Sequence, residues 1–390
     1  MQANGSIIFS IFLIFAGAAV LATVALYARQ AMIVAYIILG VLLGPWGAAL
    51  IDDPGWIEGV SEIGIMFLLY LLGINMVPRQ LWRMLGEALT VTIASCAIFT
   101  AIGIATAFIF GFLWHEALLI GGTLMFSSTI IALKLLPTTT LHHQHTGQII
   151  IAILLLQDIF AIVVLLIIEG YALEGRPFYG VARQMFALPL LVAIAYALER
   201  WMIEPLIRRF DQIQEYIFLL VIAWCLGIAE LAAAFGLSHE IGAFIAGVAL
   251  ASCPVAMFIA DSLRPLRDFF LVLFFFSLGA GFDPTMIMTA ALPGGLLALT
   301  MVLVKPTVFK MLLVRAGERR RVSAEIGVRL GQGSEFSLLI AVLAFQSGFI
   351  GERASYVIQL STLLSFIVSS YWIVMRYPTP IAIRDSLRRD

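Results

Sequence analysis

The sequence predicts an all-α polytopic membrane protein. It reads as about thirteen transmembrane helices, arranged as two inverted six-helix repeats with crossed broken helices. Three observations predict this: composition, the spacing of apolar runs, and an internal echo. Of the 390 residues, 62% are hydrophobic and only 12% are charged, with a mean hydropathy of +1.04. A soluble domain carries roughly a quarter charged residues. In such a chain the net charge of −1 says little about partners; where the charges sit says more, and no nucleic acid is expected among them. Cys96, Cys225 and Cys253 stand in apolar stretches without metal-ligand spacing, so neither a disulfide framework nor a zinc site is expected.

The spans follow in order at 6–27, 31–47, 57–77, 87–113, 116–136, 146–170, 184–206, 213–235, 239–259, 266–282, 286–314, 322–348 and 354–376. The first has no basic segment ahead of it. Its small residues Ala16, Gly17, Ala18 and Ala19 lie inside the run, so it reads as a span and not a cleaved signal. The span at 184–206 is the least patterned and reads as a linker between repeats. Connections are short, and a basic tail, 377–390, carries Arg384, Arg388 and Arg389. Placing the N-terminus outside leaves Arg176, Arg183 and Arg353 on the outer side. Lys305 and Arg329 then fall within spans, and the other Lys/Arg are cytoplasmic. The positive-inside rule therefore predicts N-out and C-in, in agreement with an odd helix count.

The echo lies at an offset of about 207. Ala35–Gly44 and Gly242–Ala251 share I-x-G-V-x-L. Gly73 aligns with Gly279, Ser127 with Ser334, and Asp158 with Ser365. Seven helices per period is an odd number, so the two copies have opposite orientation.

The chemistry follows from what interrupts the apolar runs. "GGTLMFSSTIIALKLLP" is broken by Ser127, Ser128 and Thr129. "RLGQGSEFSLLIAV" is broken by Gly331, Gln332, Gly333, Ser334 and Glu335. Non-helical backbone at membrane depth is tolerable only against protein or a water-filled cavity. The serines also fit a plainer reading, as small residues that let helices pack closely. Directly after the first interruption, "ILLLQDIFAIVVLLII" buries Asp158. A charge near the bilayer centre costs about 2.5–3.5 kcal/mol on insertion scales. Asp158 offers hard oxygens to a small cation when ionised and carries H⁺ when protonated. Gln157 could lend an amide oxygen, although neighbours on a helix point about 100° apart, so its alternative role is in the helix's fold or toward a neighbour. Lys305, deep in "MVLVKPTVFK", needs a partner, with Asp158 the first candidate and Glu335 the second. His142, His143 and His145 ("LHHQH") read as a solvated cytoplasmic loop, with a metal tract or pH sensor as the sharper alternative.

These stretches resemble the Kef-type potassium efflux systems of the second monovalent cation:proton antiporter family. The similarity rests on "ILGVLLGPWG", "SEIGIMFLLYLLGINM", "FSSTIIALKLL", "LLQDI", "LSHEIGAFIAGVALAS" and "LGQGSEF", across about residues 15–375. The resemblance implies K⁺/H⁺ exchange in the bacterial inner membrane by a homodimer with an elevator-like core. It implies a dimerisation part within 1–83 and 213–283 and a core part within 87–170 and 286–376. Asp158 would be the ion-binding carboxylate, with Gln157, Ser127, Ser128 and Thr129 around it. Lys305, Glu335, Ser334 and Gln332 would be its charge and polar partners. No cofactor is implied beyond the transported K⁺ or Na⁺ and H⁺. Kef-type proteins carry a cytosolic nucleotide-binding domain gated by glutathione; this sequence ends before one. It is therefore expected to be a truncated or naturally short relative, served by a regulatory domain or subunit outside the chain. Gln157 in place of an aspartate implies electroneutral exchange. Na⁺/H⁺ exchange is the nearest alternative. A channel-like pore would need more polar helix positions, and an intramembrane enzyme would need a nucleophile and base at depth.

Overall fold

The computed structural model describes residues 7–379, apart from 29, 31, 52–54, 76–77, 136–144, 173–176, 211, 254 and 282. In lipid every backbone N–H and C=O must be satisfied within its own segment, so the apolar runs become helices. The first three runs form α1 (Ile7–Tyr27), α2 (Met32–Leu43) and α3 (Gly55–Asn75). α4 (Pro78–Ile109) begins before the apolar run at 87, on a proline whose missing N–H costs nothing in a first turn. The run at 116–136 divides into α5 (Trp114–Leu124) and α6 (Thr129–Lys134), and α7 (His145–Ala172) follows.

α8 (Pro177–Leu198) passes through one π-helical turn, Glu199–Ile203, into α9 (Glu204–Arg209). α10 is Gln214–Ala234, α11 His239–Leu250 and α12 Ala256–Ala280. The expected span 239–259 is corrected here. The Leu250 carbonyl accepts Cys253 N–H in a turn that ends α11 early, and α12 starts well ahead of residue 266. α13 (Ile287–Leu299) runs through a second π turn, Thr300–Val304, into α14 (Lys305–Arg315). Each π turn directly precedes an Xaa-Pro pair, Glu204-Pro205 or Lys305-Pro306. A proline lacks the N–H that would continue the ladder, and the helix re-registers to a five-residue step there. The run at 322–348 divides into α15 (Arg320–Arg329) and α16 (Glu335–Gln346), and α17 (Glu352–Arg376) ends the described fold. Among the described residues, six helices are long and apolar enough to cross a membrane unaided; α2, α11 and α16 are shorter and apolar.

The chain divides into two compact units. The first comprises Met1–Leu21, Tyr36–Trp82 and Glu169–Phe282; the second comprises Ala22–Ala35, Arg83–Ile168 and Asp283–Asp390. Within the first, α3 packs along α11 and α12. Two backbone contacts there require glycine. A Cβ on Gly40 would sit 2.1 Å from Phe276 O, and one on Gly279 would sit 2.0 Å from Ile37 O. Likewise a Cβ on Gly73 would meet Phe244 O at 2.4 Å, and one on Gly247 would meet Tyr70 O at 2.1 Å. Gly40 and Gly247 are repeat partners, as are Gly73 and Gly279. The α2–α12 approach is thus repeated as α11–α3, which is what an inverted repeat produces. Within the second unit, α17 packs on α13, α16 and α5, and α14 packs on α15.

Candidate ion-binding site

The site is assembled in the second unit around the two helix breaks, residues 125–128 and 330–334. Both are held by hydrogen bonds to their backbone and side chains. At the first break, Ser128 Oγ accepts Ile131 N–H at 3.1 Å and so starts α6. Ser127 N–H donates to Gln157 Oε1 at 3.0 Å. At the second, Ser334 Oγ accepts Phe336 N–H at 3.1 Å and starts α16. Gly333 N–H donates to Ser365 Oγ at 2.8 Å. Ser369 Oγ donates to Gln332 Oε1 at 3.0 Å, and Gln332 Nε2 donates to Arg329 O at 2.9 Å.

The two breaks also hold each other. Ser127 Oγ donates to Leu330 O at 2.9 Å, Ser337 Oγ donates to Thr123 O at 2.8 Å, and Gln332 Nε2 reaches Ser128 O at a long 3.5 Å. Ser127, Ser128, Gln332, Ser334 and Ser337 are all buried, so these bonds are shielded from water and costly to lose.

Lys305 completes the crossing. Fully buried, its Nζ donates to Phe126 O at 2.8 Å, Gln332 O at 2.9 Å and Ser127 Oγ at 3.2 Å. The ammonium also stands 5.4 Å from the centre of the Phe99 ring, a cation–π distance. Two of its three bonds therefore go to carbonyls that the breaks expose, past the negative ends of α5 and α15, and the third goes to a hydroxyl. The hydrogen-bond acceptors of Lys305 are thus two backbone carbonyls and a hydroxyl, not the carboxylate expected first.

Asp158 is 2% exposed, and its hydrogen-bond partner among the described residues is Thr129, whose Oγ1 donates to Oδ2 at 3.4 Å. Glu335, buried in the first turn of α16, is near enough for its charge to act on Asp158. The Gln157 amide oxygen is committed to the backbone of the first break, because an N–H faces it. The donor Nε2 is then the end left over, buried without a hydrogen-bond partner among the described residues. A buried carboxylate with a hydroxyl beside it offers hard oxygens to a small cation when ionised and holds a proton when neutral. Among the described residues, no group of three or more His, Cys, Asp or Glu is arranged to hold a metal ion.

Of the histidine stretch, His142 and His143 lie outside the described residues, as does the tail beyond Thr379. His145 opens α7 with Nε2 2.7 Å from Glu318 Oε1. Ser365, Ser369 and Ser337 had no place among the expected site residues. A signal existed in the hydroxyls of α17: Ser355, Thr362, Ser365 and Ser369 recur at helical spacing, and all are buried.

A family model described as "Sodium/hydrogen exchanger, transmembrane" matches residues 10–375. The chain is 29% identical over 371 residues to the glutathione-regulated potassium-efflux system protein KefC of Klebsiella pneumoniae, covering 93% of this chain and 59% of that one. It is 28% identical over 347 residues to the putative K(+) efflux antiporter KefB of Alkalimonas amylolytica, covering 87% of this chain and 52% of that one. The chain thus spans between half and three-fifths of the length of these relatives. Among solved structures, the sodium proton antiporter MjNhaP1 of Methanocaldococcus jannaschii superposes with a TM-score of 0.73. The two are 17% identical, with 94% of this chain and 96% of that one covered. That likeness is one of fold.

Proposed function

The chain belongs to the transmembrane sodium/hydrogen exchanger family, and on that premise we propose that it exchanges a monovalent cation for H⁺ across the bacterial inner membrane, with K⁺ the first candidate. The observation that carries this reading is Asp158, a buried carboxylate beside the crossing of two broken helices. The choice of K⁺ rests on the relatives named for potassium efflux.

In the proposed cycle Asp158 takes the cation from one side and the proton from the other. A ligand can shift a conformational equilibrium only by binding the two states differently. The difference here is occupancy: a bare carboxylate at this depth is too costly to carry across, whereas a neutralised one is not. Thr129 supplies a hydroxyl to the site. Lys305 secures the carbonyl ends and leaves Asp158 free to change partners. One titrating aspartate beside a neutral Gln157 suits the exchange of one cation for one proton.

By the same reading, the first unit is the dimerisation part of a homodimer and the second the moving part. The N-terminus lies outside and the C-terminus inside, with control by a cytosolic domain or subunit. The deciding experiment uses purified protein in liposomes with a trapped pH dye, pulsed with K⁺ and then Na⁺. A K⁺-driven pH change that vanishes in Asp158→Asn supports the reading. A response to Na⁺ alone changes the substrate and keeps the mechanism. An unaltered response in the variant sinks it.

A further inference from the structure

Arg329 is the bulkiest of the side chains wholly removed from the surface among the described residues, and the exchange cycle gives it no task. It ends α15, directly before the second break. Its guanidinium reaches three elements. Nε and Nη2 meet Glu325 Oε1, one turn back, at 3.0 and 2.9 Å. Nη1 donates to Leu135 O at 2.9 Å, and Nη2 donates to Pro378 O at 2.8 Å. The Tyr377 ring lies 5.7 Å away. Leu135 directly follows α6, and Pro378 lies just beyond α17.

A buried guanidinium needs a counter-ion and a full set of acceptors. Among the described residues, Glu325 meets the charge. The two carbonyls do something further, because they gather the ends of α6, α15 and α17 onto one rigid fork, a geometry that a lysine cannot reproduce. The backbone of the same residue faces the other way. Arg329 O accepts Gln332 Nε2, and Gln332 O is one of the acceptors on Lys305. Two residues therefore connect the chain's exit at Pro378 to the clamp on both breaks.

We propose that Arg329 is a positioning residue that fastens segment 377–379 to the broken helices, so that the placement of this segment governs how firmly the breaks are held. Whatever pulls on or binds the chain after α17 then acts on the ion path through Arg329. Only the transport readout rests on the exchange reading above; the structural readout does not.

The test compares wild type, Arg329→Lys, Arg329→Gln, and a combined Tyr377→Ala, Pro378→Gly, Thr379→Ala variant, each as the full chain. Amide hydrogen exchange is followed by mass spectrometry over 126–135 and 330–336, together with cation-driven pH change in liposomes. The combined variant lies outside the ion site. It is expected to speed exchange at both breaks about fivefold or more and to move the apparent KM for the cation along with kcat. Arg329→Lys, with the charge kept and the fork lost, should fall between wild type and Arg329→Gln. A merely structural arginine would lower Tm in these variants, with exchange in the combined variant faster only over 373–379 and KM unchanged. That result overturns the proposal. If Arg329→Gln does not fold, the combined variant decides. If wild type moves neither cation, the exchange reading falls while hydrogen exchange still judges Arg329.

Discussion

The two helix breaks do the same job with different materials. The first carries its own hydroxyls, Ser127, Ser128 and Thr129, on the broken strand of backbone. The second is glycine-rich, has one hydroxyl of its own in Ser334, and borrows two more from α17, with Ser365 on Gly333 N–H and Ser369 on Gln332. Each break has one N–H pinned by the second helix after it, Ser127 by Gln157 on α7 and Gly333 by Ser365 on α17. The charges are not shared in this way. Where the first repeat has Asp158, the second has Ser365. Lys305 has no basic counterpart at the matching place in α4, where Phe99 lies under the ammonium instead. Duplication supplies a symmetric scaffold, and a few substitutions make its chemistry one-sided.

The sharpest way to break that comparison is to exchange its charged and neutral halves. Asp158→Asn should remove cation-driven pH change to the background of empty liposomes. Ser365→Ala should slow it and leave it measurable. Equal loss in both would mean that the site is shared between repeats and not owned by the first.

Lys305→Met comes next. It strips the donor from Phe126 O and Gln332 O, and each buried acceptor left unmet costs about 1–3 kcal/mol. Thermal unfolding should show a Tm lowered by several degrees, in Asp158→Asn protein as well as in wild type. A penalty that disappears when Asp158 is neutral would restore the carboxylate as the partner of Lys305.

The two pins should then be alike. Gln157→Leu and Ser365→Ala each orphan one backbone N–H, an effect of about 1–3 kcal/mol. Denaturation of the two variants should give similar losses. A much larger effect from Gln157 would show that its amide does more than hold Ser127. The smallest effect belongs to the pair outside the breaks. His145→Gln removes a contact to Glu318 in which the histidine side chain is 62% exposed. Exposed pairs contribute about 0–1 kcal/mol, so stability and exchange should barely change.

The places of both breaks, the depth of Asp158 and Lys305 and the repeat offset are legible in the sequence. Each is a departure from an otherwise apolar helix, and departures stand out against such a background. What each polar group touches is not legible. Lys305 could be read as needing a partner, and a carboxylate is the natural guess for an ammonium. Two carbonyl ends satisfy it instead, because breaking two helices at one place exposes acceptors that no side-chain pattern displays. Gln157 is a similar case, since one N–H from a chain segment thirty residues earlier decides which end of its amide is used.

By itself the sequence determined that this chain lives in lipid, that it is built twice in opposite senses, and where its helices fail. Hydropathy and periodicity are local properties, and the bilayer allows few ways to satisfy a backbone. Only the tertiary structure decided that Gly40 meets Gly279 while Gly73 meets Gly247, that Lys305 holds both breaks, and that Arg329 ties them to Pro378. Those outcomes depend on which orphaned donors and acceptors come within about 3 Å of one another, and that is set by the crossing of helices far apart in the chain.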